Sequence, residues 1–275
     1  MTSKDTTQEL SELISATKEH FTYLGELGVE ELELPIARGD AHFVHPIIDT
    51  SKAGINGAVG RSESGRQPHD VLFGDLAPVV PRLEQSTETF EDVQLSIGDC
   101  VRCPLSQGRT HIVHTEGNRN ARLMFVGEAP GADEDTQARP FVGRAGQLLT
   151  KIIEAIGFKR EEVVIGNINR CRPPGNRPPT NDEVAMCKPF LLREIAIVQP
   201  EVIVVLGNTA MRNLLDTKEP IGKLRGKFQE YKGIQVMPTF HPAYLLRDPA
   251  KKRETWEDLK KVRDYLDAKQ VRENP

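Results

Sequence analysis

Four apolar runs constrain this chain more than any other feature. Residues 122–126 (RLMFV), 163–168 (VVIGNI), 202–206 (VIVVL) and 234–240 (IQVMPTF) have strand length and are rich in Val and Ile. The first three are near-continuous rather than alternating, which predicts strands covered on both faces. Helical spacing follows each of those three, over residues 144–156, 182–198 and 209–215. Thr180 and Glu183 ahead of the second helix form a capping-box pattern. A last amphipathic helix is predicted over about residues 254–269. Strand–helix alternation of this kind implies an α/β fold with a parallel sheet flanked by helices.

Upstream the pattern changes. Residues 1–35 carry Leu10, Leu13, Ile14, Phe21, Leu24 and Leu27 at helical spacing, and read as an amphipathic helix. Residues 36–90 lack sustained periodicity, and the stretch SKAGINGAVGRSESGRQPHD has the composition of a flexible, disordered linker. The folded domain is expected over residues 91–270. No apolar run is long enough to span a membrane, and MTSKDTTQELSEL lacks the apolar centre of a secretory signal. A cytoplasmic setting is the expectation.

Charge is split along the chain. Residues 1–99 hold 7 Lys+Arg against 18 Asp+Glu, whereas residues 100–275 hold 29 against 22. The C-terminal part is therefore basic although the whole chain carries −4. Such a surface suits a nucleic-acid partner, and suits equally an ordinary basic domain beside an acidic tail.

The cysteines are Cys100, Cys103, Cys171 and Cys187, with no others. They form a C-x2-C pair followed, after a long gap, by two single residues. In a reducing compartment such a set reads as a metal centre rather than disulfides. Four thiolates suit structural zinc or an iron–sulfur cluster, and the spacing leaves both open.

Ligands of open parallel sheets bind beyond the carboxyl ends of the strands. The four runs exit into GEAPGADED, NINRCRPPGNR, GNTA and HPAYLLR. GEAPG lacks the spacing and lysine of a phosphate loop, but its glycines and proline allow close backbone approach to a planar ligand. Phe141, in RPFVG, is either a base-stacking ring or a core anchor. Asn167 offers a donor and an acceptor to a base edge. His241 ends an apolar strand, where it can donate to an anionic oxygen or transfer a proton.

Taken in order, GEAPGADEDTQARPFVGRAGQLL, NINRCRPPGNRPPT and HPAYLLRDP, with the four cysteines around them, closely resemble the family 4 uracil-DNA glycosylases. These are the iron–sulfur members of the uracil-DNA glycosylase superfamily. The resemblance covers roughly residues 100–266. It implies a three-layer αβα sandwich around a four-stranded parallel sheet, and a structural 4Fe–4S cluster on Cys100, Cys103, Cys171 and Cys187. It also implies hydrolysis of the N-glycosidic bond of a flipped-out uracil, leaving an abasic site in DNA.

Carried over by position, Glu128, Ala129, Gly131, Phe141, Asn167 and His241 would bind uracil. Phe141 would stack on the base, Asn167 would read its edge, and His241 would contact O2. Glu134, Asn176 and His241 would carry catalysis. Tyr244, Leu245, Leu246 and Arg247 would form the loop that enters the DNA. No nucleotide or magnesium cofactor and no membrane are implied. The protein is expected to act as a monomer on uracil-containing DNA, with its N-terminal segment a candidate site for a protein partner.

Neighbouring readings fit less well. Uracil-trapping relatives carry an inserted basic loop with a histidine after the second strand, whereas residues 172–180 here are short and hold no histidine. Family 5 enzymes have a more apolar first motif without the glutamate found here at Glu128. A non-catalytic zinc module would explain the cysteines but not the polar residues at strand exits. A nucleotide-metabolising enzyme would need a phosphate loop.

Overall fold

The computed structural model describes residues 83–273. The helix expected over 1–35 and the linker up to residue 82 lie outside the described residues. Residues 83–89, which composition places in the linker, are joined to the fold. Leu83 N donates to Lys232 O at 3.0 Å, and Ser86 N donates to Ala196 O at 3.0 Å. The described fold takes up the chain ahead of Phe90, through backbone bonds that composition does not encode.

The sheet has six strands in the order β1–β3–β2–β4–β6–β5. They are β1 (Glu116–Gly117), β2 (Leu123–Gly127), β3 (Val164–Asn167), β4 (Val202–Leu206), β5 (Gln229–Tyr231) and β6 (Ile234–Thr239). β2 runs parallel to β3 and β4, and β4 runs parallel to β6. These are the four apolar runs. The sheet exceeds the expected four strands because β1 and β5 add antiparallel edges. Those edges are only 2 and 3 residues long, too short to leave a hydrophobic period.

The continuous apolar runs follow from two-sided burial. Met124, Val126, Ile203 and Val205 face one core, together with Leu191 and Ile195 of α4 (Asn181–Val198) and Met211 and Leu214 of α5 (Asn208–Leu215). Leu123, Phe125, Val202 and Val204 face the other, with Leu149 and Ile153 of α3 (Arg144–Ala155) and Leu259, Val262 and Leu266 of α8 (Lys252–Glu273). All five residues of β4 are buried. Burying each such aliphatic side chain is worth about 1.5–3 kcal/mol, so a polar residue at either parity would be costly.

The remaining helices are α1 (Phe90–Ile97), α2 (Ala132–Gln137), α6 (Ile221–Leu224) and α7 (Pro242–Arg247). The predicted capping box opens α4: Thr180 N donates to Glu183 Oε2 at 2.8 Å, and Glu183 N donates to Thr180 Oγ1 at 3.3 Å. A buried ion pair, Arg170–Glu194, with both side chains 2% exposed, ties the loop after β3 to α4. Thr115 completes it by donating to Glu194 Oε2 at 2.7 Å and accepting from Arg170. Removing one partner of such a pair is far costlier than the net worth of the pair, because a charge is left buried alone. Among the described residues no helix is long and apolar enough to cross a membrane.

Candidate active site

The carboxyl ends of β2, β3, β4 and β6 open into one cleft of about 360 Å³. Of the residues singled out from sequence, Glu128, Ala129, Gly131, Glu134, Phe141, Asn167, Asn176, His241, Tyr244 and Arg247 all line it. Asn208, Thr209, Ile221 and Phe240 line it as well, and no role had been read for them. For Asn208, Thr209 and Phe240 the only sequence signal is position, in the GNTA exit and next to His241; Ile221, at the start of the short helix Ile221–Leu224, carries none.

β2 and β3 set the centre of the cleft. Gly127 pairs with Asn167 in the parallel ladder. The pairing continues past both strands, with Ile168 N donating to Gly127 O at 2.9 Å and Asn169 N to Glu128 O at 3.0 Å. The first two motifs are therefore held in register by backbone. Asn167 is 2% exposed, and its Oδ1 has no hydrogen-bond partner within the protein. An unpaired buried acceptor costs about 1–3 kcal/mol, so this oxygen is a waiting place for a donor. A Cβ on Gly127 would lie 2.4 Å from Asn167 Oδ1 and 2.5 Å from the Phe141 ring. Glycine is required there by close approach.

Phe141 holds φ +52°, a left-handed conformation rarely taken by a non-glycine residue. Its backbone is backed by Gly146, where a Cβ would fall 1.9 Å from Phe141 O. The ring is 6% exposed and belongs to a core cluster, yet it also borders the cleft. The core reading of Phe141 is met, and the same side chain also reaches the cleft.

His241 caps α7. Its Nδ1 accepts from Ala243 N at 3.1 Å. A neutral imidazole accepting at Nδ1 carries its proton on Nε2. Burial, followed by the positive charge of Arg247, pushes its pKa down to about 4. At neutral pH the ring is therefore an uncharged Nε2–H donor. Its centroid lies 5.7 Å from that of Phe141, with the ring planes 32° apart.

Glu134 occupies a more committed position than the sequence suggests. Oε2 accepts from Gly131 N at 3.1 Å, and Oε1 accepts from Val142 N and Gly143 N, each at 3.0 Å. One carboxylate thus fastens the GEAPG turn to the RPFVG turn. Asn176 sits on an exposed rim with φ +57°, and its Oδ1 accepts from Arg172 Nε at 2.8 Å.

The HPAYLLR segment divides. Tyr244 and Arg247 border the cleft, and Tyr244 donates its hydroxyl to Asp248 Oδ2 at 3.0 Å. Leu246 is half-buried outside the cleft lining. Leu245 is 1% exposed and packed into the domain, so it cannot push into DNA while α7 stays folded. Helical period turns Leu245 inward from its neighbours, which the heptapeptide read as a loop did not reveal.

The four cysteines are brought together away from the cleft. All line one small cavity with Ile97, Ile112 and Phe190, and none forms a disulfide. Burial raises the pKa of the Cys171 thiol, and that of Cys187 to about 11. Among the described residues no three His, Cys, Asp or Glu side chains converge closely enough to hold a single metal ion. The four cysteines share the lining of that one cavity instead. Hydrogen-bond donors face them: Arg102 Nη1 lies 3.3 Å from Cys100 Sγ, and Arg170 N lies 3.3 Å from Cys187 Sγ.

The family model of the uracil DNA glycosylase superfamily matches residues 114–260. A type-4 uracil-DNA glycosylase of Thermotoga maritima is 46% identical over 183 residues, covering 65% of this chain and 95% of that protein. Type-4 enzymes of Saccharolobus solfataricus and Archaeoglobus fulgidus are 42% and 40% identical, covering 62% and 66% of this chain and 84% and 96% of their own lengths. With more than half of the chain matched by the family model, and the Thermotoga protein matched over nearly its whole length, the chain belongs to the uracil-DNA glycosylase superfamily and, within it, to the type-4 enzymes.

Proposed function

We propose that this protein removes uracil from DNA by hydrolysing the N-glycosidic bond, and that a 4Fe–4S cluster on Cys100, Cys103, Cys171 and Cys187 stiffens the domain that does so. The observation that carries the glycosylase reading is Asn167 Oδ1, buried and unpartnered at the base of the cleft. Uracil N3–H is the donor that completes it, while the amide nitrogen donates to O4. Cytosine presents an acceptor at N3 and a donor at position 4, so it opposes both groups.

A nucleotide must leave the stack to reach this depth. Phe141 then provides one face for the base. As the glycosidic bond breaks, its electron pair passes to uracil N1 and delocalises onto O2. His241 meets that oxygen with its Nε2–H, a donor oriented in advance. Because the imidazole is neutral, it stabilises the anion by hydrogen bonding without first surrendering a proton. The sugar becomes oxocarbenium-like, and the carboxylate of Glu134, already fixed by three amides, lies at the cleft to offset that charge. Asn176, oriented by Arg172, positions the water whose oxygen attaches to C1′. The proton released by the water neutralises the uracil anion. Of the final segment, Tyr244 and Arg247, which border the cleft, would meet the DNA in place of Leu245.

The cysteine site fits the cluster in its donor chemistry. Four sulfurs line one apolar cavity with N–H groups directed at them, the surroundings in which iron–sulfur centres are held. When bound, the cluster would cross-link the segment after α1, which carries Cys100 and Cys103, to α4 and the loop after β3, without a part in bond cleavage. Cys171 follows Asn167 on that loop, so the same restraint steadies the base-reading amide.

The test is release of uracil from a single-stranded oligonucleotide by cluster-loaded full-length protein without added metal, with cytosine and thymine oligonucleotides as controls. Uracil released and controls intact is the expected result. Loaded protein that releases nothing would overturn the glycosylase reading.

A further inference from the structure

The charge environment of the cysteines is specific. Arg109 Nη1 lies 3.4 Å from Cys171 Sγ and also donates to the carbonyl of Cys100 at 2.7 Å. One guanidinium therefore joins two cysteines far apart in sequence. Arg102 directs Nη1 at Cys100 Sγ and is held in place by Ile97 O at 3.3 Å and Ser96 O at 3.0 Å. Its guanidinium stacks 5.1 Å above the Phe190 ring, which lines the same cavity. Arg170 also borders the cavity, but its guanidinium is paired with Glu194. Neither Arg102 nor Arg109 forms an ion pair with a carboxylate among the described residues.

We propose that Arg109, assisted by Arg102, is a counter-charge directed at the cysteine sulfurs, which retains the cluster and sets its reduction potential. The proposal rests on the iron–sulfur reading above. Four thiolates give a cysteine-ligated 4Fe–4S centre net negative charge, and burying that charge is costly. Charged donors to sulfur lower the cost, and favour the more negative, reduced form more strongly. Arg109 is half-buried and Arg102 exposed, so water and salt screen Arg102 more. Arg109 is accordingly the stronger of the two. It also bridges the cysteine pair ahead of β1 to the loop after β3, which no backbone hydrogen bond from Cys100 does.

The experiment uses the full chain, reconstituted with its cluster, as wild type and as Arg109→Leu, Arg109→Lys and Arg102→Leu. The readouts are the rate at which visible absorbance is lost under an iron chelator, iron and sulfide per chain, and the midpoint potential. Loss of one charged donor should speed bleaching by about tenfold in Arg109→Leu and less in Arg102→Leu. The midpoint should fall in Arg109→Leu, and Arg109→Lys should lie between that variant and wild type. Arg109→Leu with wild-type bleaching and potential would overturn the proposal. Should Arg109→Leu not load, Arg109→Lys decides: faster bleaching supports the proposal and an unchanged rate overturns it. Wild type without iron would instead overturn the iron–sulfur reading itself.

Discussion

The rings of Phe141 and His241 lie 5.7 Å apart at a 32° tilt, one from the turn before α3 and the other from the N-cap of α7. Both residues border the cleft, where they are proposed to stack on the base and to donate to its O2. Replacing Phe141 with Ala should lower kcat/KM for uracil by about ten- to a hundredfold, as expected for loss of one base–aromatic stack. Phe141→Leu should retain the core contacts and much of the stability, so a comparison of denaturant midpoints separates stacking from packing.

His241 makes a prediction about pH. Because its folded pKa lies near 4, kcat should show no inflection at the ordinary histidine value of about 6.5. His241→Ala should lower kcat by about a hundredfold, the usual loss for one preorganised donor to a developing anion. The stability linkage has a definite sign. Between about 6.5 and 4 the unfolded chain binds a proton at this position that the native chain does not. Stability should therefore fall as pH drops through that window, by on the order of 3 kcal/mol, and show no slope from this group above it. Urea unfolding of wild type and His241→Gln across that range measures the difference.

Glu134 should behave as a fastener as well as a charge. Ala at this position leaves the amides of Gly131, Val142 and Gly143 without their acceptor. The expected loss of stability is about 2–4 kcal/mol, with faster amide exchange at Val142 and Gly143. Unchanged exchange at those two amides would show that the contacts do not matter in solution.

Gly127→Ala is expected to impair the site from beneath. Its methyl would meet both Asn167 Oδ1 and the Phe141 ring well inside van der Waals distance. Overpacking of this kind costs about 1–3 kcal/mol, and here it displaces the two groups proposed to hold the base. Uracil release should drop at least as far as in Phe141→Ala, while β2, anchored on both sides, should still form.

Much of the fold was legible locally. β2, β3, β4 and β6 appeared as apolar runs because burial on both faces leaves no polar parity, and Thr180–Glu183 announced α4 because a cap is made within one turn. β1 and β5 carried no such mark, since two or three edge residues contribute backbone pairing and little else. The cleft residues were found because strand ends are where such sheets bind ligands, and because their motifs resemble a known family. Asn208, Thr209 and Phe240 joined them only through the neighbouring loops.

By itself the sequence determined the four parallel strands, the capped start of α4, the cysteine inventory and the motif order, all properties of short-range pattern. Only the tertiary structure decided that Leu245 faces the core, that Glu134 is bound by three amides, that His241 is neutral, and that Arg109 faces two cysteines. Each of those depends on groups distant in sequence being placed within a few ångströms. Burial, hydrogen-bond satisfaction and local electrostatics are set by that three-dimensional neighbourhood, which residue identity along the chain does not specify.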